Sequence, residues 1–146
     1  MTSQLNVDTI VDKAGSGGTN VKIGNTSTYV SDGGAVTQNT VQGLAKMWVN
    51  IDGENSTMAI FDSFNVSSIA DGGTGKMTVN INNDMSSVYY CFNFGVANGG
   101  GFNDEPVLNV DSTQGPTASV FEFYSMMGGS LNDARQACVS INGDLA

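Results

Sequence analysis

Apolar and polar residues alternate with a period of two over most of the chain from residue 45 onward. In the first such run the residues Ala45, Met47, Val49 and Ile51 occupy one side, and Lys46, Trp48, Asn50 and Asp52 the other. This period is typical of a β-strand, whose successive side chains point to opposite faces of the sheet. The turn-forming residues at 52–55 then predict a hairpin, with a return strand over 57–61.

The strongest turn signal in the chain is the segment Asp71-Gly72-Gly73-Thr74-Gly75. We predict a strand before it that carries Phe64, Val66 and Ile69. After it, Met77, Val79 and Ile81 alternate with polar residues. Residues 63–83 are therefore predicted to form a β-hairpin.

The rest of the chain continues the same pattern. Further strands are predicted over 88–96, 107–110, 118–124 and 137–141, and the dense apolarity of 88–96 on both faces indicates a central strand. Ser130 is predicted to cap a short helical turn over 131–134. About eight short strands separated by Gly, Asn and Asp turns are typical of an antiparallel β-sandwich, which we place at residues 45–146.

Residues 1–44 contain few large apolar groups, and we treat them as a separate N-terminal segment. Short strands are predicted over 5–11, 21–23 and 28–30, with a connector of one or two helical turns over 35–44. Strands this short cannot form a stable sheet alone. We therefore expect them to interlock with the strands of other copies of the chain, as in a trimer. The alternative is a flexible linker.

The composition excludes several classes of function. The chain has 146 residues, a formal net charge of −9 and no histidine, and Gly, Asn, Ser and Thr supply 62 of the residues. An acidic chain of this kind is repelled by nucleic-acid phosphates. Histidine-based hydrolysis and histidine-ligated zinc are impossible. The scarcity of strong helix-forming residues argues against a helical bundle.

No residue cluster indicates an enzyme. Cys91 and Cys138 have no histidine to serve as a base, and we interpret them as buried free thiols. Asp52 and Glu54 lie in a predicted turn, where solvation argues against an acid–base pair. Oxygen ligands are also close together at 52–55 and 103–105, but without the spacing of a calcium loop, so we expect no metal and no cofactor.

The N-terminus lacks the pattern of a signal peptide, and no apolar run is long enough to span a membrane as a helix. We therefore expect synthesis in the cytoplasm and no membrane insertion. Trp48 lies on the polar side of its strand, where it could stack on a sugar ring, although packing against a subunit or a second core face is the favoured interpretation. The candidate outer contacts are the loops 52–56, 98–105 and 126–134 together with the residues Trp48, Asn55, Asn98, Asn103 and Asp104.

Two stretches resemble structural proteins of marine tailed phages, especially phages of cyanobacteria. The first is Leu5-Asn6-Val7-Asp8-Thr9-Ile10-Val11-Asp12 followed by Ala14-Gly15, which is similar to the openings of virion fibre proteins. The second comprises Ala45-Lys46-Met47-Trp48-Val49-Asn50-Ile51-Asp52-Gly53, then Ile60-Phe61-Asp62-Ser63-Phe64-Asn65-Val66-Ser67-Ser68-Ile69-Ala70-Asp71, then Gly75-Lys76-Met77-Thr78-Val79-Asn80. It resembles a module common at the ends of such fibres, with Met47 in place of the usual alanine and Met77 in place of an aromatic residue. Only about 35 residues separate the two stretches, whereas most of these fibres have a long shaft there.

The resemblance implies a trimer whose N-terminus docks on the virus particle and whose C-terminal domain points outward. Docking and trimerisation are then assigned to Leu5, Val7, Ile10, Val21 and Ile23, with other virion proteins as partners. The leading hypothesis is a short tail fibre of the virion that contacts a glycan or a protein of the host surface. The alternatives are a capsid decoration or head-fibre protein and, in a different class, a free carbohydrate-binding module.

Overall fold

A computed structural model of the chain describes residues 28–30, 37–39, 43–54, 57–97, 107–110 and 115–146. The chain divides into two compact units, Met1–Val41 and Gln42–Ala146. In the described part of the first unit, strand β1 (Thr28–Val30) pairs antiparallel with strand β2 (Thr37–Asn39). The strand predicted over 28–30 is confirmed, whereas 37–39 is a strand and not part of a helical connector. The strands predicted over 5–11 and 21–23 lie outside the described residues.

The described part of the second unit consists of β-strands joined by turns and loops. In chain order the strands are β3 (Ala45–Asp52), β4 (Ala59–Phe64), β5 (Val66–Asp71), β6 (Lys76–Ile81), β7 (Cys91–Ala97), β8 (Val107–Val110), β9 (Val120–Met127), β10 (Ser130–Leu131) and β11 (Gln136–Asn142). They form two antiparallel sheets that pack together. The predicted all-β fold, an antiparallel β-sandwich, is confirmed.

The first sheet has five strands in the order β10-β9-β6-β5, and β8 also pairs with β9. The predicted hairpin is confirmed as β5 and β6, in which Ile69 lies opposite Val79. Its turn is closed by two backbone hydrogen bonds between Lys76 and the preceding glycines, and the N–H of Gly73 donates to the carboxylate of Asp71 at 2.7 Å. The Asp-Gly-Gly segment thus forms the turn that its composition predicts.

The second sheet has four strands in the order β4-β3-β11-β7. Strand β7 is an edge strand, so its predicted central position is wrong. Only one of its faces is apolar and packed. Phe92 and Phe94 lie 5.3 and 6.0 Å from the ring of Phe121 on the other sheet, while Asn93 and Gly95 point away from the core.

The core lies between the two sheets and is formed by the inward-facing residues of both. Its buried apolar members are Met47, Val49, Ile51, Met77, Val79, Ile81, Met85, Tyr90, Leu108, Phe121, Phe123, Ala134, Ala137, Val139 and Ile141. Phe121 is fully buried, and its ring is near those of Tyr90, Phe92, Phe94 and Phe123. This aromatic cluster joins the sheets at their centre.

Asn65 is the corner at which the chain passes from one sheet to the other. Its backbone has a φ of 58°, in the left-handed region that asparagine tolerates better than most residues. Its amide donates to the carbonyls of Lys46 and Asn83, and its Oδ1 accepts the backbone N–H of Asn83 at 2.7 Å. Phe64 is therefore the last residue of β4 in the four-stranded sheet. The prediction that it belongs to the same strand as Val66 and Ile69 is wrong.

Three further predictions are corrected. Ser130 and Leu131 form the short strand β10 and not a helical turn, because they pair with Met127 and Met126. Lys46 is 95% buried although its position predicts exposure, since the pairing of β3 with β11 shifts register beside it. The cysteines have no disulfide but are not buried, because both lie on the outer side of the four-stranded sheet: Cys91 is exposed and Cys138 half-buried.

Candidate interaction face

The outer side of the four-stranded sheet carries an unusual set of side chains, and we call it the Trp48 face. Residues opposite each other on paired strands point to the same side, so the register places them in rows. One row runs across the sheet as Phe64, Trp48, Ser140 and Asn93. The next row is Asp62, Asn50, Cys138 and Gly95. Large aromatic groups therefore occupy one half of this face and small groups the other.

A shallow trough of about 430 Å³ lies over the small half of the face. Trp48 lines it on β3, and Asn93 lines it from β7. Ser140, Cys138 and Gly95 lie between them. Gly95 has no side chain, so it leaves the floor of the trough low, and a Cβ added there would be in ordinary van der Waals contact with the Cβ of Cys138 at 3.6 Å. We call this feature the Trp48 trough.

Hydrogen bonds orient one polar group in the trough and leave others available. The Oδ1 of Asn50 accepts the side-chain amide of Gln136 at 3.0 Å and the thiol of Cys138 at 3.5 Å. These contacts fix the orientation of the Asn50 amide. The side chains of Asn93 and Ser140 make no hydrogen bond with the described part of the chain. None of the described residues that line the trough is a carboxylic acid or a base.

Strand β4 forms the edge of the sheet on the aromatic side of the face. Three of its large apolar side chains are exposed: Ile60 at 37%, Phe61 at 60% and Phe64 at 52%. Phe61 lies at a shift in register between β3 and β4, which is a local β-bulge. Next to Phe64 across the strands is Trp48, which is 36% exposed. Among the described strands β4 pairs with β3 alone. An edge of this kind that is bordered by apolar side chains is a template for pairing with another chain.

A second cavity has a structural explanation. A cavity of about 220 Å³ lies beside the β5–β6 turn and includes Glu54, Asp71 and Asp133. Asp133 accepts the N–H of Gly75 at 2.6 Å, so that carboxylate stabilises the turn. Within the described residues no group of three cysteines or acids is placed to hold a metal ion. The same residues include no helix that is long and apolar enough to cross a membrane.

The buried phenol of Tyr90 is the clearest electrostatic feature of the core. Burial raises the pKa of Tyr90 from 10.0 to about 12, because the ionised form loses its hydration. The neutral hydroxyl donates to the carbonyl of Thr117 at 3.0 Å. This arrangement holds two loops together and offers no catalytic group.

Of the outer-contact residues predicted from the sequence, Trp48 is on the surface and belongs to the face described above. Asn55, Asn98, Asn103 and Asp104 lie outside the described residues, as do the docking candidates Leu5, Val7, Ile10, Val21 and Ile23. In the predicted contact loop 126–134, Ala134 is instead part of the core. Sequence reasoning missed Phe64 and Asn93. Their proximity to Trp48 depends on the pairing of β3 with β4 and of β11 with β7, for which the sequence holds no local signal.

The residues that carry the resemblance to the phage module fall into two groups in this fold. Asn65, Asp71 and Gly75 hold the corner and the turn that shape the sandwich. Trp48 and Phe64 are exposed neighbours on its surface. Comparisons with protein-family models, with curated proteins and with solved structures return no match to this chain.

Proposed function

We propose that the chain is a structural protein of a tailed-phage virion that acts as a short trimeric tail fibre. In this proposal the N-terminal unit attaches to the particle, and the β-sandwich contacts a glycan or a protein of the host surface. The proposal draws on the resemblance over residues 45–80 and on the open apolar edge of the sandwich. It assigns a binding and structural role to the chain and no enzymatic one.

The observation that carries the proposal is strand β4. Soluble monomers protect edge strands with charges, Pro, bulges or short length. Strand β4 has one exposed acid, Asp62, and the bulge at Phe61, yet it is six residues long and exposes Ile60, Phe61 and Phe64. Covering this edge with other copies of the chain removes both the unpaired backbone groups and the apolar side chains from water. A closed threefold ring covers the β4 edge of all three copies at once.

A second candidate function is a capsid decoration or head-fibre protein. Such a protein would assemble through the same β4 contact between copies. Its trimer would be attached to the capsid and not to the tail. A free carbohydrate-binding module, in contrast, requires no contact between copies. The exposed apolar edge therefore favours the two assembled forms over the free module.

Light scattering on the purified full-length chain tests the contact between copies. We expect a trimer, and we expect the double variant Phe61→Ser/Phe64→Ser to dissociate. Leu131→Ser is the matched control, since Leu131 is 39% exposed on the other sheet. A wild-type monomer of 15.2 kDa at micromolar concentration would contradict the proposal. Antibody labelling of purified virions then distinguishes tail from head.

A further inference from the structure

The Trp48 trough combines an aromatic wall with small uncharged groups. The ring of Trp48 offers a flat apolar surface, and the neighbouring β11 and β7 contribute a hydroxyl, a thiol, an amide and a glycine. Ligand sites of proteins are concave, largely apolar and contain a few well-placed polar groups. The trough, at about 430 Å³, is within the range of volumes in which such sites bind small molecules.

The charge of the trough restricts the class of ligand. No acid or base lines it, and the whole chain carries a net charge of −9. Phosphates, sulfates and acidic sugars would be repelled by the chain and would find no cation in the trough. A cationic ligand would find no carboxylate there. The lining of the trough therefore favours an uncharged ligand.

The polar groups distinguish a sugar from an apolar surface of a second copy. Asn93 and Ser140 have hydrogen-bonding groups without a partner in the described chain, and the amide nitrogen of Asn50 lies beside them while its oxygen is occupied by Gln136 and Cys138. Burial under an apolar partner would leave these groups unsatisfied at a cost in free energy. A pyranose ring presents C–H groups on one face and hydroxyls around its rim, so it can satisfy the Trp48 ring and the polar groups together.

We propose that the Trp48 trough binds one ring of an uncharged carbohydrate, with the sugar stacked on Trp48 and its hydroxyls bonded to Asn93, Ser140 and Asn50. The inference deepens the host-surface contact in the proposed function, and it rests on that function for the source of the glycan. Trp48 on β3 lies next to β4, and the trough extends from Trp48 away from β4, over β11 and β7. The same copy can therefore pair through β4 and bind a sugar.

Trp48 is the single tryptophan of the chain, so its fluorescence reports directly on the trough. The full-length protein is titrated with a panel of methyl glycosides of neutral hexoses and N-acetylhexosamines. We expect at least one sugar to shift the emission in a saturable way at millimolar concentration. Gly95→Val should weaken that binding at least tenfold, because the added side chain fills the floor of the trough without touching the fold's core.

Ala97→Val is the matched control, since Ala97 is the next outward residue on the same strand and does not line the trough. It should leave the titration unchanged. Asn93→Ala should also weaken binding, while its thermal unfolding stays that of the wild type. A panel without any saturable change overturns the proposal, and so does binding that Gly95→Val leaves intact.

The test separates this proposal from the proposed function. One outcome is that the Trp48 emission of the wild type shifts to the blue with rising protein concentration, while that of Phe64→Ser does not. This outcome would mean that a second copy covers the trough. That result overturns the sugar site and supports the assembly. A monomer that binds a sugar and loses it in Gly95→Val overturns the assembly and supports the sugar site.

Discussion

The two sheets of the sandwich face the core in the same way but differ on their outer sides. Outward positions of the five-stranded sheet carry Lys76, Thr78 and Glu122, and the amide of Asn80 donates to the hydroxyl of Ser68 at 2.9 Å. The corresponding side of the four-stranded sheet carries Trp48 and Phe64 next to each other. The first outer side also carries Val107, Met126 and Leu131 in one row at the end of β9. Both outer sides therefore expose apolar residues, but among the described residues only the second places two aromatic side chains opposite each other on paired strands.

The role of an apolar residue on a strand therefore depends on the side of the sheet to which it points. On the inner side its burial stabilises the folded chain, by an amount that grows with the apolar area removed from water. On the outer side it contributes little to folding and acquires value only through contact with another molecule. The two sheets should therefore respond differently to the removal of an aromatic side chain.

The largest expected effect is the contrast between Phe121→Ala and Phe64→Ala. Phe121 is fully buried among four aromatic rings, so its truncation should lower the free energy of unfolding by about 3–5 kcal/mol. Phe64 is 52% exposed on an edge strand, and its truncation should cost about 1 kcal/mol or less. Urea unfolding followed by circular dichroism measures both values.

Where Phe121→Ala does not fold, Phe121→Leu keeps the comparison measurable. This variant retains most of the apolar volume, so a loss of about 1–2 kcal/mol is expected, still above that of Phe64→Ala. At a protein concentration at which the chain is monomeric, equal losses for the buried and the exposed phenylalanine would show that the outer aromatic residues serve the fold of the single chain. The distinction between the two sheets would then fail.

The β5–β6 hairpin shows what the sequence can predict. The alternation of Met77, Val79 and Ile81 fixes which side faces the core, and the glycines around residue 73 fix where the chain turns. Both signals are local, with a period of two and residue types that favour a turn. The same rule places Trp48 on the side of its strand opposite to Met47, Val49 and Ile51.

Features that depend on contacts between distant residues could not be predicted in this way. The corner at Asn65 relies on acceptors at Lys46 and Asn83, on either side of it in sequence. The position of β7 at a sheet edge is set by the pairing of β11 with both β3 and β7. The trough combines residues 48, 93 and 138, and only this strand order brings them together.

A smaller loss of stability is expected from substitutions of the glycines in the β5–β6 turn. These substitutions test how closely the backbone segments around that turn approach each other. Gly75 has a φ of 71°, and a Cβ there would lie 2.6 Å from the carbonyl oxygen of Ser125 and 2.9 Å from the backbone nitrogen of Asn132. Gly75→Ala should cost about 3 kcal/mol, from backbone strain and the displacement of two backbone segments. Gly73 has a φ of 96° with nothing near its Cβ position, so Gly73→Ala should cost only the strain, about 1 kcal/mol. Thermal unfolding of the two variants measures the difference, and equal costs would contradict the close approach.

The smallest effect concerns Tyr90, which connects the two sheets through its ring and its hydroxyl. Near pH 8, Tyr90→Phe should lower the free energy of unfolding by about 1 kcal/mol, because the hydrogen bond to Thr117 is lost.

The pKa of Tyr90 is about 12 in the folded chain and near 10 when unfolded, so between these values the folded chain binds more protons. The stabilisation by Tyr90 is therefore complete below pH 10 and is lost as the pH rises toward 12. This loss is larger than the contribution of the single hydrogen bond, so the gap in unfolding free energy between wild type and Tyr90→Phe should close and then reverse sign over this interval. A constant gap from pH 8 to pH 12 would mean that the phenol is hydrated in the folded chain and that the seam between the sheets is open to water at this point.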